Sequence, residues 1–153
     1  MKCKSFTIES DNGFYDYPLP PDSPFSARLS LRGVDALAEI ERIAAAEPFV
    51  TCSQVHGPYV IVAESAPGWP EREKADGLLV APGGPTIGLR YGDCAPVLVL
   101  SLSEKPWLLL LHSGFRGTLE NIVASGMAAA REKYGSVEPS GLYAWVGPCI
   151  SGS

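Results

Sequence analysis

Residues 86–111 read TIGLRYGDCAPVLVLSLSEKPWLLLL, and the reading of this stretch decides the fold. It holds two uninterrupted apolar runs, 95–100 and 107–111, separated by a polar segment that contains Pro106. Runs of this length, rich in Val and Leu and bounded by turn residues, fit buried strands. They fall far short of the roughly 20 residues that span a bilayer, so no transmembrane helix is expected. Working outward, further strand-like segments fall at 49–53, 59–64, 77–80, 86–91 and 142–146, each set off by Gly or Pro.

Helices are expected on either side of the main run of strands. Val34, Leu37, Ile40 and Ile43 recur at three-residue steps, with Ala38 and Ala44 widening the stripe and Pro48 stopping it. A second helix is expected over 118–133, with Thr118 as N-cap, an apolar face of Leu119, Ile122, Val123, Met127 and Ala130, and Gly135 as its stop. Strands in series between two helices argue for an α+β domain rather than a βαβ repeat. Residues 12–24 contain Gly13, Pro18, Pro20, Pro21 and Pro24 and read as an irregular arm.

A chain of 153 residues is the usual size of one domain, and its 46% hydrophobic and 19% charged residues indicate a globular protein. Lys2 and Lys4 are followed by Glu9 and not by the apolar core of a secretory signal, so the expected location is the cytoplasm. The four cysteines, Cys3, Cys52, Cys94 and Cys149, form no close pair, which offers neither a zinc finger nor a thioredoxin-like motif and points to reduced thiols. A net charge of −5 without a basic cluster argues against a nucleic-acid partner and for small molecules.

The chemistry-bearing residues gather where strands give way to glycine. His56 lies in Gln54-Val55-His56-Gly57, His112 in Leu111-His112-Ser113-Gly114, and Cys94 directly before the apolar run at 95. Spacings of 38 and 18 residues are no local zinc signature, and taken alone each histidine reads first as a surface or satisfied core residue and Cys94 as a buried inert thiol. Together, two imidazoles and a thiolate suit three corners of a tetrahedral site with the fourth left open. Arg116, two residues before the expected N-cap Thr118, could dock a phosphate or simply pair with a surface carboxylate. Asp76 and Asp93 are candidates to support the ligands or contact a nucleoside hydroxyl, though aspartates before turns are commonly caps.

Five blocks, Gln54-Val55-His56-Gly57, Ala75-Asp76-Gly77-Leu78-Leu79, Gly92-Asp93-Cys94-Ala95-Pro96-Val97, His112-Ser113-Gly114-Phe115-Arg116-Gly117-Thr118 and Gly147-Pro148-Cys149-Ile150, resemble those of the YfiH family in content and order. Members of that family carry labels as different as laccase-domain protein, multicopper polyphenol oxidase, peptidoglycan editing factor, and purine nucleoside phosphorylase with adenosine deaminase activity. The resemblance implies mixed β-sheets sandwiched between helices and a zinc held by His56, Cys94 and His112. It implies action on purine nucleosides and phosphate, with Arg116 and Asp93 as the residues nearest the chemistry.

Departures from the family pattern are Phe115 for a more usual Trp, Ser113 for Ala, and an N-terminal block that is not legible between Gly13 and Glu47. The sequence also stops at Ser153, where the family continues, so a single domain over 1–153 is expected to lack a C-terminal portion. An open apolar sheet edge and self-association are the expected consequences. Three other readings compete: a copper-dependent polyphenol oxidase, a zinc-stabilised binding module without turnover, and a cysteine hydrolase with Cys94 as nucleophile and His112 or His56 as base.

Overall fold

The computed structural model describes residues 13–149 except Arg32 and Val137. Cys3, the lysines near the N-terminus and Ile150 of the last block lie outside the described residues. The fold is mixed α+β. Its centre is a five-stranded sheet of β4 (Val60–Val62), β5 (Gly77–Val80), β8 (Trp107–Ser113), β7 (Ala95–Ser101) and β9 (Leu142–Val146), in that spatial order. β4 runs parallel to β5, and every other neighbouring pair is antiparallel. Two small pairs complete the strands: β1 (Phe14–Asp16) antiparallel to β2 (Arg28–Ser30), and β3 (Phe49–Val50) parallel to β6 (Thr86–Ile87).

The two apolar runs are uninterrupted because both faces of the central sheet are covered. Successive side chains of a strand point to opposite faces. Leu79, Val97, Val99, Leu109 and Leu111 pack with Ile122 and Ala130, whereas Leu78, Val80, Leu98, Leu100 and Leu108 pack on the other side with Val50 and Ala63. The second face also takes Tyr17, Leu19 and Phe25 of the proline-rich arm, so that arm is a cover for the core. Its irregularity was expected; its short pairing at β1 and β2, with Arg28 bonded to Asp16 across the ladder, was not.

α1 (Ala36–Ala46) is capped by Asp35, whose carboxylate accepts the N–H groups of Leu37 and Ala38, and ends before Pro48 as the sequence indicates. Its apolar stripe is only partly used: no residue of α1 is buried, and Leu37 is 55% exposed. The second expected helix needs a correction. It divides into α2 (Phe115–Leu119), with Gly114 as N-cap, and α3 (Ile122–Tyr134), capped by Asn121.

Asn121 adopts a left-handed conformation, φ 58° and ψ 58°, which Asn tolerates better than most residues, and its side chain accepts the N–H of Ala124. Thr118 therefore lies inside a helix and bonds back to the carbonyl of Gly114 instead of capping. The break turns Ile122 and Ala130 into the core while Leu119 stays 71% exposed.

α3 lies on the sheet where Gly126 meets Leu109. A Cβ at Gly126 would come within 2.6 Å of a Leu109 methyl, so the helix approaches β8 closely only because this residue is glycine. Gly126→Val should lower the unfolding free energy by about 1–3 kcal/mol through overpacking, despite its gain in apolar surface. Denaturant titration checks this, and an unchanged midpoint would mean that α3 can shift freely over the sheet.

Candidate metal centre

The site is organised around a carboxylate. Asp76 is completely buried at the start of β5. Its Oδ1 accepts the N–H of His56 at 2.9 Å, and its Oδ2 accepts those of Val55 and Gly57 at 3.1 and 2.9 Å. The Nδ1 of His112 lies 2.8 Å from the same Oδ1. The Asp76 backbone adds two more bonds, donating to the carbonyl of Tyr59 and accepting from the N–H of His112.

Burial raises the pKa of the Asp76 carboxyl, but the hydrogen bonds from His112 and from the Gly57, Val55 and His56 amides outweigh it, and the net position is below the ordinary 3.8. Its contribution to stability is thus present above pH 3.8 and is lost as the pH falls below that value. An ionised carboxylate has no proton to give, so the bond runs from Nδ1–H of His112 to Asp76. The Nε2 lone pair of a neutral His112 is then left for a ligand.

His56 has φ 60°, a conformation unusual for a residue with a side chain. The three amide bonds to Asp76 hold the 55–57 turn in that shape and offset its strain. Gln54 fastens the next loop, its side-chain amide donating to the carbonyl of Arg90 and accepting the Arg90 N–H. That loop leads through Gly92 and Asp93 to Cys94 and then directly into β7.

The ligand atoms of His56, Cys94 and His112 all lie within 4.8 Å of one another. The two imidazole rings meet edge to face, 4.9 Å between centroids, and Tyr91 lies 5.8 Å from the His112 ring with its hydroxyl donating to the carbonyl of Leu111. Exposure is graded across the cluster, with His112 buried, Cys94 half-buried and His56 exposed. A borderline-soft ion such as zinc fits this donor set of two imidazoles and a thiol. Gly114 leaves room for the cluster, since a Cβ there would stand 2.8 Å from the Cys94 sulfur and 3.2 Å from the His56 ring.

The remaining sequence candidates lie around this cluster in different ways. Asp93 is exposed beside Cys94. Arg116 is exposed on α2 and bonds to Glu120 at 2.9 Å, which raises its pKa. The expectation that Arg116 precedes a long helix capped by Thr118 is corrected: α2 has five residues and starts at Phe115. The sequence understated Asp76, although its place in the Ala75-Asp76-Gly77 block was a usable signal.

Cys52 is a buried thiol bonded to the carbonyl of Ala75, pushed up to about 12 by burial and by Asp76, and is chemically quiet. The open groove of about 850 Å³ between the end of α1, Trp69 and the turn at Gly83 is lined by none of the three cluster residues.

Residues 33–153 match the family model described as multi-copper polyphenol oxidoreductase laccase. A Deinococcus radiodurans protein named purine nucleoside phosphorylase is 33% identical over 109 residues, covering 71% of this chain and 40% of the relative. YlmD from Geobacillus stearothermophilus matches with a TM-score of 0.60 at 26% identity, over 76% of this chain and 47% of that one. A Neisseria meningitidis protein of the DUF152 group matches with a TM-score of 0.60 at 25% identity, over 74% and 44%. The Bacillus licheniformis hypothetical protein YfiH has the same fold, with a TM-score of 0.62 at 23% identity over 91% of this chain and 56% of that one. The chain thus spans about half the length of its relatives.

Removing the Asp76 carboxylate should orphan three amides and a ring nitrogen together. Each buried unsatisfied group costs about 1–3 kcal/mol, so Asp76→Ala should destabilise by about 3 kcal/mol or more, while Asp93→Ala, at an exposed position, should stay within about 0.5 kcal/mol. Thermal or denaturant unfolding of the two variants side by side makes the comparison, and equal stabilities would contradict the role given to Asp76.

Proposed function

Since the chain belongs to the family of multi-copper polyphenol oxidoreductase laccases, whose blocks it shares under the name YfiH, we propose that His56, Cys94 and His112 hold one zinc ion. The proposed activity is phosphorolysis of purine nucleosides, with a second capacity to deaminate adenosine. The observation that carries this reading is the donor set, two imidazoles and one thiol gathered within 4.8 Å. The relative named purine nucleoside phosphorylase supports the choice of substrate.

Zinc bound there would supply a Lewis acid able to lower the pKa of a water molecule or to orient a purine. Asp76 holds His112 through Nδ1–H and keeps its Nε2 turned to the cluster, as carboxylates supporting ligand histidines do. Arg116 is assigned to phosphate. Its present bond to Glu120 is an exposed surface ion pair, weakened by water, so a dianion can take the guanidinium from the carboxylate.

In phosphorolysis a phosphate oxygen forms a bond to the ribose anomeric carbon as the bond from that carbon to the purine nitrogen breaks, and the base leaves with the electron pair and takes up a proton. Asp93, exposed beside Cys94, is assigned to the ribose hydroxyls. Purine nucleosides and phosphate are then the partners, with the cytoplasm as the working location. Among the described residues no helix is long and apolar enough to cross a membrane.

The family description favours a second reading, copper-dependent oxidation. Two histidines and a cysteine are also the blue-copper set. A laccase-type trinuclear cluster needs a histidine-rich cage, and the two histidines of this chain do not supply one. Among the described residues the one methionine, Met127, packs against the core on the α3 side of the sheet.

Protein purified without added metal should carry about one zinc per chain, and His56→Ala, Cys94→Ala and His112→Ala should each lose most of it. Copper with a visible thiolate band would give the assignment to the second reading. With adenosine, inosine or guanosine, phosphorolysis should release free base and ribose 1-phosphate only when phosphate is present, while deamination should yield inosine from adenosine regardless. Arg116→Ala should raise the KM for phosphate about tenfold or more, the scale of one charge-assisted hydrogen bond, and Arg116→Lys should raise it less. Zinc retained with no turnover of any nucleoside would favour the binding module. Activity that survives chelation but not thiol alkylation would indicate the cysteine hydrolase.

A further inference from the structure

The geometry points to Cys94 and Cys149 as the two halves of a reversible disulfide, a modification site at one end of β7 and β9. In the antiparallel ladder Leu98 faces Trp145 and Val97 faces Val146, and the N–H of Gly147 bonds to the carbonyl of Pro96 at 2.8 Å. Continued two positions past the Pro96–Gly147 bond, beyond the ends of β7 and β9, the same register would set Cys94 opposite Cys149. Pro148 does not interrupt it, because in an antiparallel ladder the residue after an inward-bonded position turns its nitrogen away from the partner strand.

The faces agree as well. A Cβ on Gly147 would meet Pro96 at 2.6 Å, and one on Gly114, the N-cap of α2 just past the Ala95–Ser113 end of the β7–β8 ladder, would meet the Cys94 sulfur at 2.8 Å. Cys94 thus keeps the face of Pro96, and Cys149 follows the face of Gly147. Opposed residues at a bonded position stand about 5.5 Å apart at Cα, inside the window of roughly 4.4–6.8 Å that a disulfide spans.

Both thiols are reduced in this structure, with Cys149 exposed and Cys94 half-buried. Cys52 is no competitor, being buried and bonded to Ala75. The oxidant is a peroxide. One thiolate attacks a peroxide oxygen, the O–O bond breaks, and a sulfenic acid and water result; the second thiol displaces the sulfenic oxygen as a second water and forms the S–S bond. The two thiols lose two electrons and two protons, and the peroxide gains them.

The disulfide itself does not depend on the metal. Its consequence rests on the proposed zinc site: oxidised Cys94 is no longer a thiolate ligand, so the ion is left with two imidazoles and is released.

The test treats the whole 153-residue protein with one equivalent of hydrogen peroxide, before and after stripping metal with a chelator, followed by non-reducing peptide mass spectrometry and a zinc-release assay. A Cys94–Cys149 peptide about 2 Da lighter than the two thiols should form and be reversed by dithiothreitol. Zinc should be released in step with it. In Cys149→Ser the link should be absent, and dithiothreitol should no longer restore Cys94, which oxidises onward. Cys94 oxidised without a link in the metal-free protein, Cys149 joined to Cys3 instead, or both thiols still open to alkylation would overturn the inference. A link formed in protein that never held zinc would support the disulfide and count against the zinc site alone.

Discussion

The buried Asp76 carboxylate is the constraint on which the rest of the site depends. A charge removed from water is tolerated only when its lone pairs are met, and here three consecutive amides and one imidazole meet them. The arrangement acts in both directions. The amides keep the carboxylate ionised, and the carboxylate folds the 55–57 turn so that His56 can take its positive φ. One residue therefore sets the backbone at His56 and the ring orientation of His112.

Rigidity comes from the sheet below. His112 is part of β8, the strand with neighbours β5 and β7 on its two sides, and Cys94 enters β7 at once. Both faces of these strands are buried, one under α3 and the other under the proline-rich arm and its neighbours. Side chains fixed to central strands would lose little entropy on binding an ion, because their backbone is already ordered. His56 sits on a turn, which is why it needs Asp76 and the Gln54 clasp on Arg90 to be held in place.

The three described cysteines show how environment sorts one functional group into separate roles. Cys52 is buried and bonded to a carbonyl, Cys94 stands among two imidazoles, and Cys149 is exposed three residues past β9. A thiol reacts as its thiolate, so access and neighbours decide its chemistry more than its sequence position does. β9 itself is uncharged from Leu142 to Val146, with Tyr143 and Val146 exposed.

The sequence by itself determined the α+β class, the strands at 77–80 and 142–146, the end of α1 before Pro48, and the family blocks that carry His56, Cys94 and His112. Those features are written locally, in apolar runs, in Pro and Gly punctuation and in short motifs. It did not determine the break at Asn121, because the apolar spacing of 118–133 fits a continuous helix and only the close approach of Gly126 to Leu109 shows how α3 is seated. Nor did it determine the role of Asp76, since an aspartate before a glycine looks like an ordinary cap until the turn at 55–57 is folded over it. Strand order, the convergence of His56, Cys94 and His112 from 38 and 18 residues apart, and the pairing of Arg116 with Glu120 were likewise decided by tertiary structure. Side chains remote in sequence meet only after burial of both sheet faces fixes the register, and that free energy belongs to the whole core rather than to any segment.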